Sequence, residues 1–180
     1  MDKRKVMGWF VIIVMVAGGM GVVLTGDGSV QTYNGYKFTQ TAQGWQTKVN
    51  GQNTVFNFYP GNIAFTGLPP EAASFKDKKV LTVSYNPDVD LTPAFAQLQY
   101  DFELKLPDSV FIIRAVTNGS SLPLFTCANA TSSSPVVVFD QAENATSTYI
   151  DNCLTITGFD AYGFATQAEA LLYTMLGVIE

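Results

Sequence analysis

The 180 residues include no histidine. Serine–histidine and cysteine–histidine catalysis, His-ligated zinc and imidazole pH switches are therefore excluded. Acid–base chemistry is left to carboxylates. Asp88, Asp90, Asp101, Glu103 and Asp108 gather in one stretch of sequence, and Asp140, Glu143 and Asp151 in another. A glycoside hydrolase needs two carboxylates opposed across a cleft, which proximity in sequence does not establish. Asn86-Pro87-Asp88-Val89-Asp90 has the alternating oxygen side chains of a calcium loop but lacks its glycine and closing glutamate. Solvated loop charge is the default reading. No catalytic residue, metal ligand or cofactor is assigned.

Cys127 and Cys153 offer a different chemistry. Two cysteines are too few for a zinc cluster, and no CxxC redox motif is present. They stand 26 positions apart, both in segments that read as strands. One reading is two separate buried thiols. The other, favoured if this part of the chain is exported, is a disulfide, which would stabilise the fold by about 3.5 kcal/mol on a loop-entropy basis. Between and beside the cysteines lie three glycosylation sequons, at Asn118, Asn129 and Asn144, each in a polar connector. Read without glycosylation, the same residues are turn formers. Tyr33, Tyr36, Trp45 and Tyr59 crowd one region and could meet sugars or partners, although Trp45 fits a core position better.

The elements that must position these residues begin with an apolar segment. After Lys3-Arg4-Lys5, residues Val6–Leu24 run for nineteen positions without a charged or polar side chain. As a helix this stretch spans about 28 Å, close to the ~30 Å hydrocarbon core of a bilayer. The flanking basic residues place the N-terminus in the cytoplasm and residues 26–180 outside. A cleavable signal peptide usually has a shorter apolar core and an Ala-x-Ala-like site, which is missing before Thr25. The sequence thus predicts a basic tip and transmembrane signal anchor over 1–25, a linker over 26–32 and an extracytoplasmic α+β domain over 33–180. The overall −5 charge hides this asymmetry. Residues 26–180 hold 7 basic and 14 acidic side chains, a net of −7, which argues against nucleic acid as a partner.

Within the exported part, 36–41, 45–49 and 52–59 read as a β-meander, with Asn50-Gly51 as a hairpin turn. That turn sets Trp45 opposite Phe56, with Phe58 on their face and Gln46, Lys48 and Asn57 on the other. A strand over 80–85 follows. Thr92 reads as the N-cap of a helix of about three turns, with Pro93 at its first position and Phe95, Leu98 and Phe102 on one face. Residues 110–116 read as a strand buried on both sides, which implies a parallel crossover. Further strands are expected at 122–127 and 135–139. A hairpin joins 148–150 to 153–157. An amphipathic C-terminal helix from Phe164 to Leu176, ended by Gly177, presents an apolar stripe to one side of the core.

Several of these segments together resemble a known pattern. They are Tyr33-Asn34-Gly35-Tyr36-Lys37-Phe38, the Gly44-Trp45 strand, Cys127 with Pro135–Phe139, and Asn152–Gly158 ahead of Leu171-Leu172-Tyr173 and Leu176-Gly177. The pattern is similar to that of uncharacterised small membrane-anchored cell-surface proteins of archaea with reduced genomes, and the likeness covers residues 33–178. It implies an archaeal cell-surface setting and a paired-cysteine framework, with no activity attached. The expected function is a non-catalytic interaction or structural module of the cell envelope, held to the membrane by residues 6–24, with an envelope protein or glycan as partner. Two alternatives stand beside it. One is a pilin-like filament subunit, which the order of basic tip, Gly8, apolar helix and β-rich head would allow. The other is a carboxylate-based hydrolase.

Overall fold

Two Asn-Gly turns build the first sheet. In the computed structural model, which describes residues 28–119 and 122–179, Asn34 and Gly35 have φ of 44° and 82°, and Asn50 and Gly51 have 50° and 85°. Positive φ at both central residues is the type I′ requirement, and it matches the twist of the strands on either side. The turns join β1 (Val30–Tyr33) to β2 (Tyr36–Thr41), and β3 (Gly44–Val49) to β4 (Gln52–Phe56), in an antiparallel sheet ordered β1-β2-β3-β4. Trp45 pairs with Phe56, as the turn predicts. Residues 30–32, expected in a linker, instead pair with residues 37–39 as part of β1. Strand β4 stops at Phe56 rather than at 59, because the next two backbone N–H groups donate to the side chain of Glu169. A short helix α1 (Pro60–Ile63) and a 3₁₀ turn (Pro70–Phe75) follow.

The second sheet is mixed. Strands β5 (Val80–Tyr85), β6 (Phe111–Val116), β7 (Val136–Gln141), β8 (Thr146–Ile150) and β9 (Cys153–Gly158) lie in the order β6-β5-β7-β9-β8. All neighbours are parallel except β8, which forms the expected hairpin with β9. Helix α2 (Thr92–Lys105) carries the crossover from β5 to β6. Gln99 fastens it to the sheet, its buried amide donating to the carbonyls of Val83 and Ala115 at 2.7 Å each.

Four expectations are corrected here. Strand β6 is an edge strand, not one buried on both sides. Phe111 and Arg114 are exposed, and only Ala115 and Val116 are fully buried. Residues 122–127 form no strand beyond a single bridge between Leu124 and Val116. Thr92 does not cap α2, because its hydroxyl donates back to the carbonyls of Pro87 and Val89, and Leu91 holds the N-cap position. The C-terminal helix α3 (Ala161–Met175) is not a one-sided lid. Thr166 to Tyr173 are buried without a break, so the helix lies inside the protein.

The cause is its position between the two sheets. Near the helix start, Phe164 packs edge-on to Phe95 of α2 at 4.8 Å and to Phe139 of β7 at 6.1 Å. Near its end, Tyr173 lies 4.3 Å from Phe56 and 5.9 Å from Phe38, both in the first sheet. One hydrophobic core therefore runs from the meander through α3 to the mixed sheet. Asp160 caps α3 by accepting from the Gly163 N–H, and Gly177, at φ 73°, ends it as expected. Among the described residues, no helix is long and apolar enough to cross a membrane. The predicted anchor, Val6–Leu24, lies outside the described residues.

Candidate functional site

The mixed sheet has helices on one face only. On that face Leu81, Val83, Val137, Phe139, Leu154 and Ile156 meet α2 and α3. The other face carries Thr82, Ser84, Val136, Val138 and Cys153, all buried, yet no helix covers them. The β6–β7 connection covers them instead. The Ser84 hydroxyl donates to the Phe125 carbonyl at 2.7 Å, and Ala130 packs on Val136 and Val138. The Sγ atoms of Cys127 and Cys153 are at bonding distance, with their Cα atoms 5.2 Å apart. Cys127 starts a 3₁₀ turn (Cys127–Asn129) rather than ending a strand, whereas Cys153 opens β9 as expected. The bridge thus pins an irregular cover to a sheet that would otherwise expose an apolar face. Beside it, Thr148, Ile150, Asp151 and Thr155 border a pocket of about 310 Å³.

All three sequon asparagines are exposed, but their side chains differ. The Asn118 amide donates to Asp88 at 2.6 Å. Asn129 uses its side-chain oxygen to close a capping box, accepting from the Thr126 N–H at 2.9 Å. Among the described residues, the Asn144 side chain has no hydrogen bond; only its backbone carbonyl accepts one, from Thr157.

The carboxylates singled out in the sequence do not converge on a cleft. Asp101 pairs with Lys105, Glu103 lies 3.7 Å from Arg114 at a half-exposed surface site, and Asp140 accepts from Asn86. Four surface pockets bordered by described residues carry at most one carboxylate each, Asp151 in one and Asp77 in another. Among the described residues, no three acidic or cysteine side chains are grouped to hold a metal ion.

The acid that matters most to the structure is one that sequence reasoning missed. Glu169, on α3, is 2% exposed. One carboxylate oxygen accepts from the Asn57 N–H, the Asn57 amide and Lys105, each at 2.8 Å, and the other accepts from the Phe58 N–H at 2.9 Å. Lys105 also reaches Asp101 at 3.3 Å and lies over the Phe56 ring. Asn57 is exposed, as expected, while its amide donates into this cluster. Four residues along α3, the Tyr173 hydroxyl donates to the Phe58 carbonyl at 2.8 Å, and burial, then the Glu169 charge, raise its pKa well above the ordinary phenol value. The cluster joins the first sheet to α2 and α3. With both Glu169 oxygens and the Lys105 ammonium engaged inside the protein, its work is structural. The available signal was one glutamate as the single charged residue of the helix.

The aromatic residues also turn inward. Tyr59 packs against Tyr33, Phe38 and Trp45, at 6.1, 5.6 and 5.0 Å between ring centres, and Tyr36 rests half-buried on the same core. Other aromatic side chains do project: Tyr162, Phe111 and Phe159 are more than half exposed, and Phe65 is 95% exposed. Phe65 sits on the loop after α1, at the rim of a pocket of about 330 Å³ bordered by Pro69, Pro70, Ala170 and Ile179.

Comparison of this chain with models of protein families, with characterised proteins and with solved structures finds no match.

Proposed function

We propose that this protein is a membrane-anchored module of the cell envelope that acts by binding or by structural association, without catalysis. The observation that carries the reading is the charge asymmetry around Val6–Leu24: three basic residues precede this nineteen-residue apolar stretch, and the part that follows has a net charge of −7. The paired cysteines support it, because a disulfide persists in an oxidising compartment and is rare in the cytosol. The engaged or scattered carboxylates favour association over hydrolysis. The resemblance to archaeal cell-surface proteins gives the same setting. On this reading the partner is an envelope protein or glycan.

Cell fractionation tests the reading. The full chain is expected to stay in the membrane pellet through an alkaline carbonate wash and to co-purify with one envelope component in a fixed ratio. Recovery in the soluble fraction, or as a monomer with no partner under cross-linking, would count against it. A mature N-terminus at Trp9 would instead support the filament-subunit alternative.

A further inference from the structure

We propose that Asn144 is the site of covalent N-glycosylation, and that Asn118 and Asn129 are not, although all three lie in sequons. The proposal rests on the extracytoplasmic placement argued above. The reaction joins the carboxamide nitrogen of asparagine to C1 of a sugar carried on a lipid phosphate. The C1–O bond to the phosphate breaks, the lipid phosphate leaves with the electron pair, and one amide proton passes to a base of the transferring enzyme. The acceptor therefore needs an exposed carboxamide that the fold does not already use.

The three sequons differ in that respect. The Asn118 nitrogen is held by the Asp88 carboxylate at 2.6 Å, a charge-assisted bond that must break first. Asn129 is the closing residue of a capping box, its oxygen held by Thr126, only two positions after the bridged Cys127. Rotating its carboxamide toward an enzyme would undo that turn. Asn144 lies in the connector between β7 and β8, where residues 142–146 are all exposed, and its carboxamide is committed to nothing among the described residues. Its sequon threonine, Thr146, opens β8 and is exposed as well.

The position also has a physical use. Strand β8 is, with β6, an outer strand of the mixed sheet, and an unpaired strand edge is a template for unwanted pairing. A bulky hydrophilic sugar two residues before that strand would block approach to the edge. The first sheet and the Phe65 loop carry no sequon and would stay open to a partner.

The test uses the full chain in a cell that N-glycosylates its own exported proteins. Cleavage before aspartate releases residues 140–150, which carry Asn144 without the other two sequons. Mass spectrometry should find a glycan on that peptide and none at Asn118 or Asn129. Asn144→Gln and Thr146→Val should abolish the added mass. Thr146→Ser, which keeps the sequon, should retain it. Protease added to intact cells reports where the domain lies. A bare Asn144 on an externally cleaved chain, or sugar on Asn118 or Asn129, overturns the assignment. If the domain proves internal, the extracytoplasmic reading fails on that result alone. The same chain fused behind a cleavable secretion leader then decides Asn144 by occupancy.

Discussion

Replacing Glu169 with Gln keeps the shape of the side chain and removes its charge, so it isolates what the buried carboxylate does. The carboxylate accepts four N–H groups, three on one oxygen and one on the other. A glutamine offers one acceptor oxygen. If that oxygen keeps the Asn57 and Lys105 donors, the new amide nitrogen faces the Phe58 N–H, donor against donor. An unsatisfied buried group of this kind costs about 1–3 kcal/mol. Lys105, itself largely buried, loses its nearest anion and keeps only Asp101 at 3.3 Å. Breaking one side of a buried pair costs about 3–5 kcal/mol, and because the two effects share the same atoms they are not summed. The expected loss is therefore about 3–5 kcal/mol. With a urea slope of roughly 2 kcal/mol/M, the unfolding midpoint should fall by roughly 1.5–2.5 M. Full-length protein in non-ionic detergent, followed by near-ultraviolet circular dichroism, gives that midpoint directly. The double variant with Lys105→Met should lose less than the sum of the two single variants. A fall under about 0.5 M for Glu169→Gln would show that the carboxylate is not the joint between the first sheet and the two helices.

Three further outcomes follow from the same structure. The folded, unreduced protein should present no thiol to an alkylating reagent, and Cys127→Ser should cost up to about 3.5 kcal/mol and admit protease cleavage between residues 117 and 135; two reactive thiols in the unreduced folded protein would refute the bridge. The raised Tyr173 pKa means that the unfolded chain releases this proton from about pH 10 while the folded one keeps it, so stability is full below pH 10 and falls above it by up to about 1.4 kcal/mol per pH unit. Tyr173→Phe should flatten that alkaline loss in urea midpoints measured from pH 9 to 11, at the cost of the bond to Phe58. At Gly44, φ is 130° and an added Cβ would lie 2.3 Å from the Phe56 carbonyl oxygen, so Gly44→Ala should lower the unfolding free energy from urea titration by more than the ~1 kcal/mol typical of a strained backbone position.

Local signals were legible wherever one short segment decided the outcome. Asn50-Gly51 set its hairpin and register, 80–85 and 153–157 read as strands, the second ending one residue short of Gly158, and Gly177 marked the end of α3. Strand β1 was missed although Asn34-Gly35 is the same turn signal, because its exposed Val30-Gln31-Thr32 has no apolar alternation to mark it. Errors of burial came from long-range arrangement. Phe111–Ile113 is apolar enough for a central strand, and only the order of the sheet puts it at an edge. The stripe along α3 pointed to one buried side, and only its place between the two sheets explains why Glu169, against the first, and Gln167, against the mixed one, are buried too. The Cys127–Cys153 pairing was legible from chemistry, but what the bridge fastens was not. Its cover is a loop whose role depends on an uncovered sheet face.

The central claim is that the domain after Leu24 lies outside the cell membrane, on an anchor whose N-terminus stays inside. Single cysteines introduced one at Asp2 and one at the exposed Ser133, in a chain with Cys127 and Cys153 replaced by serine, can be labelled in intact cells with a membrane-impermeant maleimide. The account predicts that the cysteine at 133 is labelled in intact cells and the one at 2 only after lysis. Labelling at 133 only after lysis would contradict it.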